Sequence, residues 1–498
     1  MSLWPSVLLS LARTLLVVGL AIPAAAPIAR RLRGERSNLW WAGVLAPLLV
    51  PELLTGYGWS NFSLSLAAKP WANEALTAAL IWGRCVCAAA ALLAVAPPST
   101  RTASAVFLRK LVFTGTPRPR GASALQAWMR EGALRAIARF GPAAGVAGLF
   151  AFGQFEVPSL AGVKTWEPFG WAGQSAWTVA LFDAHADMQS LAGSLRLALP
   201  AVLVQLVGLI PLLIWLRRSG ERGPGDERQG GASRGSLIAA SAVLAAAAGL
   251  TVLVPAGVLA WETGLQGWTE LAASEWRLSS FAEELGLSLA VGAAAAALAG
   301  SVLWAAGHVR GPAGTALIAL LIAPGLCGPL VAGLIVKAGV TFAAANDWPG
   351  GRVLQESFLP LIVAVALFLL PRAALLRAFA PGHGSGAFLA GLLRNGTRSQ
   401  RRAGGRIWWG LTGRSTWVRW GLLTLWGGAD VSAAALLTPA GYQTAPHGLY
   451  NLMHYGHNAV LGALCLLNTV APAVLLALGA WAAPRGRALR GPAIGTTS

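Results

Sequence analysis

The sequence predicts an all-α, polytopic membrane protein. Apolar runs of about 20 residues, the length needed to cross a bilayer as a helix, recur from one end of the chain to the other. Only 11% of the 498 residues are charged, against about 25% in soluble domains. The basic residues gather in alternate loops, the signature of membrane topology rather than of a soluble basic domain.

The periodic apolar runs define about eleven spans, over roughly residues 6–29, 38–58, 74–97, 141–163, 193–216, 236–261, 281–306, 313–337, 355–379, 418–440 and 457–482. Arginines follow the first span (Arg30, Arg31, Arg33, Arg36), the third (Arg101, Arg109, Arg118, Arg130, Arg139), the fifth (Arg217, Arg218, Arg222, Arg228), the ninth and the eleventh. The intervening loops 59–73, 164–186, 262–280, 338–354 and 441–456 are poor in Arg. The positive-inside rule then predicts the N-terminus outside and the C-terminus, with a tail over 484–498, in the cytoplasm. Trp40, Trp41, Trp59, Trp71, Trp261, Trp408, Trp409 and Trp417 stand at run ends, as interfacial anchors do.

Residues 217–235, rich in Gly and Arg and without periodicity, read as a cytoplasmic linker between a first half, 1–216, and a second, 236–483. Ala46-Pro47 through Gly56 matches Ala323-Pro324 through Gly333 in spacing. Each stretch lies in the second span of a five-span set with the same loop order. The halves are therefore expected to be parallel repeats about an axis along the membrane normal.

The net charge of +19 invites a nucleic-acid reading. Its confinement to loops between spans, without an RNA-binding aromatic signature, excludes that partner and leaves the bilayer. Cys85, Cys87, Cys327 and Cys465 all fall in apolar runs, and Cys85-Val-Cys87 lacks CxxC spacing, so buried structural thiols are expected and no metal site. No GxxxxGK[ST] phosphate loop occurs; Gly391 to Arg398 has two glycines but no Lys.

Ionisable groups inside spans are costly and mark function by default. Glu52, Arg84, Glu156 and Asp430 qualify. Glu52 and Arg84 fall at similar depth in adjacent antiparallel spans and are paired here as a structural salt bridge. Glu156 and Asp430 occupy corresponding spans, either facing a shared pathway that favours a cation or sitting wet near the outer interface. Asp183-Ala-His185-Ala-Asp187, with His454 and His457, has a metal-like alternation, read as polar loop edges. The basic loop Phe379–Trp420 carries no acid, and its Phe388, Leu389, Leu392 and Leu393 form a short apolar stripe.

Phe150-Ala-Phe-Gly-Gln-Phe-Glu156-Val-Pro158-Ser-Leu-Ala-Gly-Val163 resembles the fourth-span motif of type I ABC importer permeases of the iron(III)/thiamine/polyamine class. Asp430 through Gly441, followed by Leu449 through Gly456, resembles its counterpart in the fused, two-in-one iron(III) permeases. The resemblance implies two pseudo-twofold related permease halves. Substrate would arrive on a periplasmic binding protein. ATP would be hydrolysed by two copies of a separate cytoplasmic ATPase, with no cofactor and no catalysis on this chain, in a bacterial plasma membrane. It also implies coupling segments in loops 98–140 and 380–418, with docking residues Ala127, Gly132, Ala387 and Gly391 and apolar anchors Phe388 and Leu392. The family's coupling Glu is absent from both loops, where Gln126 and Ser385 stand. The rival classes are an ion-coupled secondary transporter and an integral membrane enzyme acting on lipid-linked substrates, which would gather acids or histidines in one large outer loop.

Overall fold

The computed structural model describes residues 3–34, 38–66, 68–95, 140–161, 175–187, 190–219, 234–309, 311–379, 397–399, 416–453 and 458–482. They form helices and turns, with no strand among them. Among the described residues, seven helices are long and apolar enough to cross a membrane, and two bent pairs bring the number of possible spans to nine. The chain is thus a multi-pass helical membrane protein, with seven to nine full spans among the described residues where eleven are expected over the whole chain. Outward-facing Leu15, Leu16 and Leu20, and likewise Leu199, Leu203 and Val207, are exposed. Apolar faces turned outward on long helices suit lipid, not water.

The chain forms two compact units by packing. Unit 1 comprises residues up to Trp261 together with Leu326–Leu334, and unit 2 comprises Glu262–Gly325 and Ile335–Ser498. Unit 1 begins with α1 (Trp4–Gly34), then α2 (Asn38–Leu49) and α3 (Glu52–Ser65), bent by 72° at Val50-Pro51, then α4 (Pro70–Val95). Helix α1 packs along α4. Both bury small residues, Ala21 and Ala25 on one, Ala89 and Ala90 on the other, which permits close backbone approach. The pair is tied across its length by Arg13, whose guanidinium forks onto both carboxylate oxygens of Glu74. Next come α5 (140–152), α6 (Glu156–Leu160), α7 (Trp177–Ala186) and α8 (Leu191–Ser219).

Helix α9 (Arg234–Ala248) packs on α1, α2 and α4. It continues through a π-helical turn, Gly249–Leu253, into α10 (Val254–Ala273). A π turn frees carbonyls from the α ladder, and α3 supplies the donors: Thr55 Oγ1 to the Thr251 carbonyl (2.9 Å) and Trp59 Nε1 to that of Leu250 (2.9 Å). Gly58 lies against Pro255, whose Cα would stand 2.6 Å from any Cβ placed there. Beyond Trp261, α10 bends at Gly264, which has φ +49°.

From Glu275 on, a long helix, a bent pair and a second long helix follow in the order seen from Trp4 to Val95. Helix α11 (Glu275–Ala306) is followed by α12 (Gly311–Leu326) and α13 (Pro329–Ala345), bent by 105°. After the short α14 (Gly351–Gln355) come α15 (Leu359–Phe379), packed along α11, then α16 (416–428), α17 (Ser432–Leu437), α18 (Ala445–Met453) and α19 (Ala459–Ala482). The core of this unit is built largely from alanine and leucine, with Ala295 and Ala299 on α11 and Ala364 and Leu369 on α15. Helix α16 crosses α11 with glycine on glycine: a Cβ on Gly292 would collide with the Thr424 carbonyl and sit 2.7 Å from the Gly428 nitrogen.

Two differences from the sequence expectation have physical causes. The apolar runs 141–163 and 418–440 do not form single spans. Among the described residues the helix of the first run ends at Phe152 and that of the second at Gly428, each inside the run. In the first run a continuous helix would carry Pro158 in its interior. Breaking at Gly153–Phe155 moves that proline into the first turn of α6, where its missing N–H costs nothing. The expected outer loop 262–280 is helical on both sides of Ser274, because its interleaved acids and tryptophans lower hydropathy without breaking a helix. The four cysteines are buried and free.

The glycine crossing yields a paired test. Gly292→Ala is expected to destabilise the protein by about 1–3 kcal/mol through forced separation of α11 and α16. Gly300→Ala, on the same helix with no atom within 4 Å of the added methyl, should be neutral or stabilising by up to ~1 kcal/mol. Thermal unfolding of the purified chain in detergent measures both.

Candidate functional site

The strongest concentration of buried polar chemistry in unit 1 lies where α5 ends. A helix that stops inside apolar surroundings leaves carbonyls without N–H partners. Here side chains take them up. Trp177, fully buried and stacked on Phe152, donates Nε1–H to the Phe152 carbonyl (2.6 Å). Thr178 donates to the Gln154 carbonyl (2.6 Å), and Gln154 Nε2 to that of Phe150 (3.2 Å). At the far end of α6 the Ala161 carbonyl receives Asn73 Nδ2 (2.9 Å) and lies 2.5 Å from Ser63 Oγ. Glu156, buried, opens α6 at the break.

Arg84, on α4, is buried and faces the bend between α2 and α3. Its Nε donates to the Pro47 carbonyl (2.9 Å), its Nη2 to that of Val50, and its Nη1 lies 3.0 Å from Glu52 Oε1. Gln154 Nε2 reaches the same Glu52 oxygen at 3.1 Å. One guanidinium therefore serves the last carbonyls of α2 and the acid in the first turn of α3, matching the fork of donors to a set no ammonium could satisfy. Arg84 also lies within electrostatic reach of Glu156. The break in α5, the bend in the second span and the middle of α4 are thus one connected network.

In unit 2 the corresponding place is built differently. Helix α16 ends at Gly428, and Asp430 follows. Its Oδ2 accepts the Ala433 backbone N–H at 2.9 Å, capping α17, and Thr438, extended ahead of Pro439, ends that helix. Ser288 on α11 accepts the N–H of Ala445, the first residue of α18, at 2.9 Å while donating to the Glu284 carbonyl at 2.7 Å. A small cavity opens here, lined among others by Asp430, Ser288, Thr444, Gly427 and Gly428.

The two sites share a device. In unit 1 the N–H of Trp177, the first residue of α7, is accepted by Ser10 Oγ on α1 at 3.2 Å. In unit 2 the N–H of Ala445 is accepted by Ser288 on α11. In each case a long helix, α1 or α11, holds the start of the short helix, α7 or α18, that precedes α8 or α19.

The residues expected to couple to an ATPase, Ala127, Gly132, Ala387, Phe388, Gly391 and Leu392, lie outside the described residues, as do His454 and His457. His185 Nδ1 sits 3.0 Å from Ser194 Oγ. No group of three or more His, Cys, Asp or Glu gathers among the described residues. Sequence reasoning missed Arg13, Ser10, Trp177 and Ser288. Arg13 alone carried a signal, a charge inside the first apolar run. No protein family, curated protein or solved structure matches the chain.

Two outcomes follow from this geometry. Arg84→Met should cost about 3–5 kcal/mol, because Glu52 and two carbonyls lose their partner in an apolar setting, and Arg84→Lys should recover only part of it; unfolding midpoints in detergent compare the three chains. His447, on α18, is pushed below its ordinary value by burial. A base that prefers its neutral form when folded gives stability that is intact above about pH 6.5 and lost as pH falls through the lower folded value. Thermal midpoints between neutral and mildly acidic pH should therefore decline, and His447→Gln should flatten the decline.

Proposed function

We propose that the chain is the transmembrane permease subunit of a binding-protein-dependent ABC importer of the type I class, with iron(III) as the expected substrate. The observation that carries this reading is repetition. The stretches 4–219 and 275–482 each run through a long helix, a bent pair, a second long helix packed on the first, a helix ended before a buried acid, two short helices and a final long helix. The acids are Glu156 and Asp430. Sequence motifs resembling those of the fused permeases fall on these same breaks. Parallel repeats with discontinuous helices suit a transporter that alternates access about a central pathway.

On this reading the two repeats, 1–216 and 236–483, form pseudo-twofold related halves. Two copies of a cytoplasmic ATPase grip loops 98–140 and 380–418, and a periplasmic binding protein delivers substrate to the opposite side. The chain sits in a bacterial plasma membrane with its N-terminus outside. Small residues at Ala127, Gly132, Ala387 and Gly391, with Phe388 and Leu392 as anchors, receive the ATPase by helix-in-groove docking. Glu156 and Asp430 are the pathway candidates.

Affinity purification of the tagged chain from its native membrane should recover an ATPase subunit; its consistent absence, with uptake driven instead by an ion gradient, would sink the reading. Within it, the double variant Glu156→Asn, Asp430→Asn should abolish uptake while the chain still assembles with its ATPase. Intact uptake would remove both acids from the pathway.

A further inference from the structure

Past the bend at Gly264, α10 continues over residues 265–273 as a helix with three different sides. Its role is independent of the permease reading. Gly267 and Leu271, at i and i+4, form the inner side. Leu271 is buried, and a Cβ on Gly267 would stand 2.5 Å from the Ala459 carbonyl oxygen. Gln266 and Glu270, again at i and i+4, form the second side, joined by a hydrogen bond from Gln266 Nε2 to Glu270 Oε1 (2.7 Å). Leu265, Trp268 and Ala272, at i, i+3 and i+7, form the third. All three are exposed, Leu265 at 85%. After the break at Ser274, Trp276 in the first turn of α11 is 77% exposed.

Two measures put this segment at the edge of the hydrocarbon. Along the chain, the apolar helical stretch that begins at Gly235 has covered about 40 Å of contour by Trp261, at ~1.5 Å per residue, already more than the ~30 Å core. In space, Gly267 lies against Ala459, the first residue of α19, whose run Ala459–Gly479 is itself apolar and long enough to cross. A residue packed on the first turn of a span stands at the level where that span enters the bilayer. Composition agrees with this level. Glu270, Glu275 and Arg277 are costly in the hydrocarbon core, whereas tryptophan is enriched at its boundary.

Three sides at that level meet three environments: protein on the Gly267 side, water on the Glu270 side, lipid on the Leu265 side. An apolar stripe beside a polar one is the pattern of a helix that lies in the interfacial plane. The stripe's charged neighbours are mainly acidic, so burial of apolar surface, and not attraction to anionic lipid, supplies the binding. We propose that residues 265–276 form an interfacial collar, with Leu265, Trp268, Ala272 and Trp276 seated at the boundary of headgroups and acyl chains. The partner of this face is phospholipid, and the face is thereby withheld from soluble proteins.

The test uses the purified full chain in phospholipid nanodiscs. Leu265→Cys, Ala272→Cys and Glu270→Cys are each labelled with a nitroxide; the four native cysteines are buried, and the unsubstituted chain taken through the same labelling sets the background. Electron paramagnetic resonance then compares collisions with oxygen, which concentrates in lipid, and with a water-soluble nickel chelate. Oxygen should dominate severalfold at 265 and 272, and nickel at 270. Dominance of nickel at 265 and 272 would overturn the proposal and leave the face to a soluble partner. Weak collision with both reagents there would overturn it equally, because the face is then covered by protein, such as a second copy of the chain. A phospholipid carrying a photoactivated diazirine beside the glycerol reads the unsubstituted chain directly, whatever the label does to packing. Cross-links mapped by mass spectrometry should fall within 265–276, and their absence from that segment would likewise sink the assignment.

Discussion

Inside a bilayer no solvent reaches a broken helix, so each carbonyl released by a break needs a donor from the protein itself. That constraint organises what surrounds three interruptions in unit 1. At the end of α5 the donors are Trp177, Thr178 and Gln154; at the bend between α2 and α3 the donor is Arg84; at the π turn before Pro255 the donors are Thr55 and Trp59. Each comes from a different element than the carbonyl it serves, Gln154 excepted, so satisfying the backbone also ties the elements together. Loss of one donor leaves an orphaned carbonyl and loosens a helix contact at the same time.

The two units meet the constraint with different chemistry. Unit 1 uses charge: Arg13 with Glu74 between α1 and α4, and Arg84 with Glu52 between α4 and α3. Unit 2 uses closeness. Glycines at the α11–α16 crossing bring backbones together, and alanines fill the α11–α15 seam. One basic side chain of α15, Arg372, rests 3.8 Å over the Phe368 ring and 5.8 Å from Trp426, a contact with aromatic faces.

The membrane class was legible because lipid-facing leucines make hydropathy high whatever the helix packs against. The Glu52–Arg84 proximity was legible too, since two charges in neighbouring apolar runs have few other places to go. The breaks in 141–163 and 418–440 were not. Phe152 and Gly153 are as apolar as the residues before them, and hydropathy does not register where a hydrogen-bond ladder stops; Pro158 was the available clue. Ser10, Ser288 and Trp177 were hidden for another reason. Their roles depend on which helix end reaches them, and that is set by packing between residues over 150 positions apart in sequence.

The helical stretch from Gly235 to Ala273, 39 residues, passes through the π turn and the kink at Gly264, and at ~1.5 Å per residue its contour is about 58 Å. A hydrocarbon core of ~30 Å leaves a large surplus, and hydrophobic mismatch of that kind is met by tilting, bending or deforming the lipid. Gly264 settles where the bend falls. Its positive φ is open to glycine and strained for other residues, and it follows closely on Trp261, which projects outward in the manner of an interfacial anchor. The bend that shortens this helix's reach is therefore written at one backbone position, and a side chain at residue 264 would strain the conformation that makes it.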